Sequence, residues 1–376
     1  MAGIYIHIPF CRQACSYCNF HFSTSLALKA PLLNALKQEI ILTAQGKIPA
    51  DIIETIYIGG GTPSLLAPEE LNKILQTVKE KFNLFKDAEI TLETNPDDIT
   101  KHILMLWQQM GINRLSLGVQ SFNEAELKWM NRAHTAAQSL QSIHDIIAAG
   151  FTNFSVDLIY GSPLLSNEEF IKNVHTILNK NIPHVSAYAL TVEPKTVLHS
   201  LISKKKLAPI DEERQAEQFN ILVTMMEDAG YEQYEISNFA KPGFRSRHNS
   251  SYWQGKPYYG FGPAAHSYNG SNIRRWNIAN NALYIKSLEQ NIIPFEEEKL
   301  TPVQRLNETI MIELRTMEGI DIEKIKNDFG GNFSETILMN AGKYINDKKL
   351  VTRNSKLVLT KEGKFFADGI AAGLFF

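Results

Sequence analysis

Ile4-Tyr5-Ile6-His7-Ile8-Pro9-Phe10-Cys11-Arg12-Gln13-Ala14-Cys15-Ser16-Tyr17-Cys18 lies at the head of the 376-residue sequence. Ile4–Ile8 is a short apolar, β-rich run closed by proline and reads as a strand; the cysteines sit in the loop straight after it. They are all three of the cysteines in the chain, spaced Cys11-x3-Cys15-x2-Cys18. An odd, clustered set argues against a disulfide framework and for a metal site. Three thiolates suit a [4Fe-4S] cube, in which cysteines hold the irons. Three ligands leave one iron open, and the amino and carboxylate groups of S-adenosylmethionine (SAM) can fill that site and be followed by reduction. Tyr17 is placed to pack on the cluster or on adenine. The competing reading is a structural zinc held by three cysteines and His7 or His21, although zinc ligands usually come as two separated pairs.

Working outward, short β-rich runs alternate with amphipathic segments through the first two thirds of the sequence. The runs are Ile4–Ile8, Thr55–Ile58, Ile90–Leu92, Arg114–Val119, Phe154–Ile159 and Val185–Leu190. The helix-like segments are Leu32–Thr43, Pro68–Lys81, Ile103–Met110, Ala136–Ala149, Asn167–Asn179 and Asp211–Ala229, three of them stopped by Gly111, Gly150 and Gly230. This alternation predicts an α/β fold with a parallel sheet under helical cover. Six units suit a partial (β/α)6 barrel, with a doubly wound open sheet as the runner-up. Either fold puts chemistry at the C-terminal ends of the strands. Gly59-Gly60-Gly61-Thr62-Pro63 follows the second run, where bare backbone can approach a ligand and N–H groups can bind a carboxylate. Glu93 ends the third run and is placed to accept from an ammonium group. Gln120 ends the fourth, and Arg132 beyond it can pair with a carboxylate. Asp157 is a charge inside an apolar strand, which is costly unless paired.

From Tyr231 to Trp276 the rhythm is lost, and aromatics, glycines and Arg245, Arg247, Arg274 and Arg275 accumulate. After about Thr301 a charged helical region leads into two β runs around Arg353-Asn354-Ser355 and a last helix, which resembles a winged-helix module. The domains expected are therefore 1–230, 231–300 and 301–376. A hydrophobic fraction of 44% and a net charge of -2 describe an ordinary globular chain with no overall pull towards nucleic acid or anionic membrane. The start has no basic region followed by an apolar run, and the location expected is the cytoplasm or the inner face of the membrane. Lys204–Lys206 reads as a solvated face.

Together these residues resemble the radical SAM superfamily and, more narrowly, the oxygen-independent coproporphyrinogen III oxidase family. The resemblance rests on Tyr5–Cys11, the cysteine spacing, Gly59–Pro63, Gly118–Ser121 and the size of the C-terminal module. It implies Tyr5, Gly60, Gly61, Thr62, Glu93, Gln120, Arg132 and Asp157 as SAM-contacting positions. The true oxidases, which decarboxylate propionates in haem biosynthesis, have a fourth cysteine two residues after the third and a longer leading segment. Here Phe20 stands at that place, and ten residues precede Cys11. The chain is more similar to the haem chaperone branch, which shares a His-Asn-x-x-Tyr-Trp motif, present as His248-Asn249-Ser250-Ser251-Tyr252-Trp253. That resemblance implies haem as cargo, with haem-accepting proteins, respiratory and membrane-bound ones among them, and a second copy of the chain as partners. A neutral histidine can serve as an axial haem ligand. His248 is the first candidate, with Arg245 and Arg247 for the propionates, and His266 is its rival.

Overall fold

The structure, a computed structural model, describes residues 1–46 and 51–376. Six strands form its centre: β1 (Ala2–Ile8), β2 (Ile52–Gly60), β3 (Asn83–Thr94), β4 (Arg114–Gln120), β5 (Phe154–Tyr160) and β6 (His184–Ala189). They lie side by side in chain order, every neighbouring pair parallel. Between them run α1 (Lys29–Gln45), α2 (Pro68–Lys81), α3 (Lys101–Gln109), α4 (Glu124–Trp129), α5 (Ala136–Ala148) and α6 (Asn167–Asn179), and after β6 come α7 (Val197–Ser203) and α8 (Glu212–Asp228). A doubly wound sheet reverses its strand order part-way. This one does not, so successive right-handed crossovers stack the helices on one face and leave the other as the concave wall of a partial barrel. Gly111, Gly150 and Gly230 all have positive φ just past their helices, as the stop signals predicted.

The register explains why the strands carry function as well as stability. One row across the concave face reads His7, Gly59, Glu93, Ser116, Ser155 and His184. The alternate positions, among them Ile6, Ile58, Leu92, Leu115, Val156 and Val185, are fully buried against the helices. Apolar side chains thus fill the layer between sheet and helices, and polar or absent ones face inward. Two boundaries differ from the sequence reading. Gly59 and Gly60 are the last residues of β2 rather than a turn after it, and β4 runs on through a register shift to Gln120.

Residues 231–300 extend this sheet at both edges. Strands β7 (Glu232–Glu235) and β8 (Asn238–Ala240) add antiparallel beyond β6. Helix α9 (Arg247–Trp253) returns the chain to the other edge, where β9 (Tyr258–Phe261) pairs parallel with β1. Strands β10 (His266–Tyr268), β11 (Ile273–Asn277) and β12 (Phe295–Lys299) continue antiparallel, with α10 (Asn281–Glu289) before the last. The C-terminal part has its own apolar core around Leu306, Ile310, Leu314, Ile325, Ile337 and Leu357. Its order is α11 (Pro302–Leu314), β13 (Ile320–Asp321), α12 (Ile322–Phe329), α13 (Gly331–Asn346), β14 (Leu350–Arg353), β15 (Lys356–Leu359) and α14 (Ala367–Ala372). That is a three-stranded wing on a helical body, with Asn354 and Ser355 at positive φ in the predicted turn. Among the described residues no helix is long and apolar enough to cross a membrane.

Candidate functional site

A cavity of about 680 Å³ opens at the C-terminal ends of the six strands, within the size range of small-molecule sites. Cys11, Cys15 and Cys18 line it and are half-buried. Their loop is tied down on both sides. Cys11 N–H donates to the Ser23 carbonyl (3.1 Å), and Ser16 N–H donates to the Met130 carbonyl (3.1 Å). Asn131, itself in the left-handed region, donates through its amide to the Ala14 carbonyl (2.7 Å). Burial pushes the Cys11 thiol up to about 11 and raises that of Cys18, so both are neutral until a metal displaces the proton.

The glycine run has a reason at each position. A Cβ at Gly59 would meet the Glu93 carboxylate at 2.8 Å, and one at Gly60, where φ is +112°, would meet the His7 ring at 2.7 Å. One at Gly61 would meet the Phe10 carbonyl at 2.6 Å and the Cys11 sulfur at 2.9 Å. The run is therefore a bare cradle against the cysteine loop. Glu93 accepts from the Tyr57 hydroxyl (2.8 Å) and from Gly60 N–H (3.0 Å). Burial nevertheless pushes its carboxyl up to about 7, with the Tyr57 hydrogen bond opposing. Thr62 is buried and accepts from the Asn95 amide. Arg132 donates to the Cys15 sulfur (3.3 Å), to Asn95 Oδ1 (2.7 Å) and to the Gly118 carbonyl (2.8 Å), while its buried Nε has no partner among the described residues. Asp157 accepts from Ser116 on the cavity floor, and burial pushes it up to about 6. Gln120 lines the wall with its backbone at φ +67°.

The implied cluster and SAM can be tested against this arrangement. Among the described residues no three His, Cys, Asp or Glu side chains converge on one point as a single ion requires. His7 is also committed elsewhere: Nε2 donates to the His21 carbonyl (2.9 Å), and Nδ1 accepts from Tyr5 (3.0 Å). A mononuclear zinc site with His7 as fourth ligand does not match. Three thiols on the wall of one roomy cavity, the glycine cradle and the orphaned Arg132 Nε fit a larger cluster with a zwitterionic ligand beside it.

Two expected site residues stand elsewhere. Tyr5 is stacked behind Tyr57 (6.2 Å between ring centroids) and does not line the cavity. His248 lies in the core. The buried Glu89 carboxylate accepts from the N–H groups of Arg247 and His248, drawing the first turn of α9 into the sheet. The imidazole is 1% exposed, with Nδ1 on Thr55 (2.8 Å) and Nε2 on Tyr252 (2.8 Å). Both nitrogens are occupied, and burial takes its pKa down to about 3, so the ring is neutral here. Arg245 is paired with Glu232 and Glu318, and Arg247 donates to the Asp87 carbonyl. Tyr17 packs with Met130, Ile159 and Leu198 at the cavity's edge. Lys204, Lys205 and Lys206 are exposed, as expected. The sequence reading missed Tyr57, Asn95, Arg114, Ser116 and Ser186, all on the cavity wall. Their signal was the alternation within the runs, as in Arg114-Leu115-Ser116-Leu117-Gly118.

The family model for the radical SAM superfamily matches residues 5–177, and that for the HemN C-terminal domain matches residues 300–366. The heme chaperone HemW of Bacillus subtilis is 34% identical over 375 residues, covering 98% of this chain and 98% of that protein. This chain belongs to the HemW family of radical SAM proteins. The HemW of Escherichia coli is 37% identical over 271 residues, covering 70% of this chain and 69% of its own. The crystal structure of E. coli coproporphyrinogen III oxidase, described as a radical SAM enzyme, superimposes with a TM-score of 0.86 at 21% identity, covering 100% of this chain and 90% of that one. At that identity the likeness shows the fold.

Substituting Glu93 tests the polar wall. In Glu93→Gln the Gly60 N–H still finds an oxygen, and the Tyr57 hydroxyl can rotate to accept from the new amide. A carboxyl whose pKa is raised in the folded state loses stability as pH climbs from the unfolded value near 4.5 through about 7. The expected result at pH 8 is a variant about 1–2 kcal/mol more stable than the parent but at least about tenfold weaker in SAM binding. Thermal melts and calorimetric SAM titration check this, and a destabilised variant with intact SAM affinity would refute it.

Proposed function

We propose that this chain is a haem chaperone of the cytoplasm. It holds a [4Fe-4S] cluster on Cys11, Cys15 and Cys18, binds SAM in the adjoining cavity and passes haem to haem proteins. The near end-to-end similarity to haem chaperones carries the reading, and Phe20 at the place of the oxidases' fourth cysteine supports it over decarboxylation of coproporphyrinogen. Cys11, Cys15 and Cys18 would hold the cluster, which would supply one-electron reducing power to SAM beside it. The chain's own residues bind and orient. Gly59–Gly61 leave room for the ligand, Glu93 takes its ammonium, and Arg132 offers Nε–H to its carboxylate while bracing Cys15. Thr62, Gln120 and Asp157 complete the polar surround.

The test is anaerobic reconstitution, loading with haem, and mixing with an apo-haem protein. Transfer of the Soret absorbance to the acceptor, without turnover of coproporphyrinogen, is the expected result. SAM-dependent decarboxylation without haem transfer would make the chain an oxidase.

A further inference from the structure

Between the cavity and the outer strands of the sheet, aromatic rings follow one another across the concave face. Tyr57 lines the cavity, and its ring lies 5.1 Å from that of His248, centroid to centroid, at 25°. His248 meets Tyr252 edge-on at 4.9 Å, and Tyr252 meets Tyr258 edge-on at 4.7 Å. Tyr268 follows at 6.4 Å. Tyr258 and Tyr268, on β9 and β10, are half-buried, and the Tyr268 hydroxyl donates to the Ser271 carbonyl (2.8 Å) at the surface. The series thus runs from the wall that carries Glu93 to solvent. The backbone leaves room for it: a Cβ at Gly3 of β1 would meet Thr55 Oγ1 at 2.9 Å and the His248 ring at 3.3 Å.

The two inner phenols each have a proton acceptor. A phenol gives up an electron readily only when its proton leaves with it, because the oxidised phenol is a strong acid. Tyr57 donates its hydroxyl hydrogen to Glu93 (2.8 Å). The Tyr252 hydroxyl lies 2.8 Å from His248 Nε2, and with Nδ1–H donating to Thr55 (2.8 Å) that nitrogen accepts. Tyr258 and Tyr268 can release their protons to water. Phenols are oxidised far more easily than they are reduced, so the series suits an electron deficit moving out of the cavity. That matters beside Cys11, Cys15 and Cys18, because cysteines oxidised to sulfinic and sulfonic acids are not recovered. Tyr252, Tyr258 and Tyr268 do not line the cavity and take no part in holding SAM there.

We propose that Tyr57, Tyr252, Tyr258 and Tyr268, with His248 between the first two, carry oxidising equivalents out of the cavity and so protect the cysteine loop. The oxidant is hydroxyl radical, the class that peroxide yields at iron, and the proposal rests on the reading that the three cysteines hold iron. The radical takes one electron from Tyr57 and becomes hydroxide, while the phenolic proton passes to Glu93. An electron from Tyr252 restores Tyr57, the proton returning from Glu93, and the Tyr252 proton crosses to His248. Tyr258 restores Tyr252 in turn, and Tyr268 restores Tyr258, each releasing its proton to water. A thiol in solution then gives a hydrogen atom to the last phenoxyl and becomes a thiyl radical.

The experiment adds hydrogen peroxide and a spin trap to the reconstituted full-length chain. Electron paramagnetic resonance reads the tyrosyl radical, and peptide mass spectrometry reads the trapped residues. The parent is expected to carry adducts on Tyr258 and Tyr268. Tyr252→Phe keeps the ring and removes the phenol. Its iron content and SAM affinity should match the parent, but its outer adducts should fall to the level of the iron-poor Cys11→Ser chain, with oxidation of Tyr57 and the cysteines rising. Tyr258→Phe should instead strand the radical on Tyr252. Tyr268 adducts unchanged in both variants would show that peroxide attacks the surface phenol directly and would overturn the relay. A parent with full iron but no iron-dependent tyrosyl signal would overturn it too, leaving the cluster reading intact. A parent that takes up no iron would remove both.

Discussion

Serine in place of Cys11 is expected to leave a folded chain that retains less than one iron after anaerobic reconstitution, against about four for the parent. The chain has no thiol outside the triplet to stand in, because its three cysteines are Cys11, Cys15 and Cys18. Phe20, two residues beyond the last of them, offers no donor. A serine hydroxyl stays protonated far above the range in which a thiol yields to iron, so two anchored corners would remain. Stability should change little. The Cys11 thiol is half-buried and neutral without metal, and its loop is held by backbone hydrogen bonds to the Ser23 and Met130 carbonyls that serine does not touch. The unfolding free energy of the metal-free variant should lie within about 1 kcal/mol of the metal-free parent. Iron and sulfide analysis, the visible absorbance and a thermal melt read the three quantities. Full iron content in the variant would remove Cys11 from the ligand set. A melt lowered by many degrees would make the loop a structural element first.

The first strand and the cysteine spacing were legible because both are local. Period-two patterning and ligand spacing are read along the chain, and the barrel followed from repetition of strand and helix. The inner face was harder to see. Arg114, Ser116, Ser155 and Ser186 sit inside runs whose average is apolar, and only cross-strand register reveals that they share the cavity wall with Glu93 and Asp157. The burial of His248 was not legible either. Its motif marked it as exceptional, but a sequence does not say that Glu89, 159 residues away, accepts from its backbone N–H and turns the ring inward. Residues 231–300 lost the α/β rhythm because their strands are short, and most pair antiparallel at the two edges of a sheet already built.

Truncating Glu39 to alanine should be the most damaging single change outside the cavity. Glu39 falls on the apolar stripe of α1, in step with Leu32, Leu36 and Ile40, a position where an unpaired carboxyl would be prohibitive. It is 2% exposed and accepts three bonds: from Gly262 N–H (2.8 Å), from the Asn277 amide (2.6 Å) and from the Tyr284 hydroxyl. These partners come from the turn after β9, from β11 and from α10, so one carboxyl fastens the sheet extension that carries His266 to the first helix of the barrel. Alanine would strand three buried donors and open a void, at a cost of about 3–5 kcal/mol, or on the order of 10 °C in a melt. Glutamine should cost less, about 1–2 kcal/mol, since one oxygen can still serve Gly262 and Tyr284 while Asn277 must reorient. Burial pushes the Glu39 carboxyl up to about 7, the hydrogen bonds opposing. The folded state therefore holds a proton that the unfolded state releases near 4.5. Parent stability falls as pH rises through that window, and the Glu39→Gln deficit should narrow from pH 5 to pH 8. Chemical denaturation of the parent and both variants at the two pH values measures this. Equal losses for alanine and glutamine, or a deficit independent of pH, would mean that packing rather than the carboxyl network joins α1 to the extension.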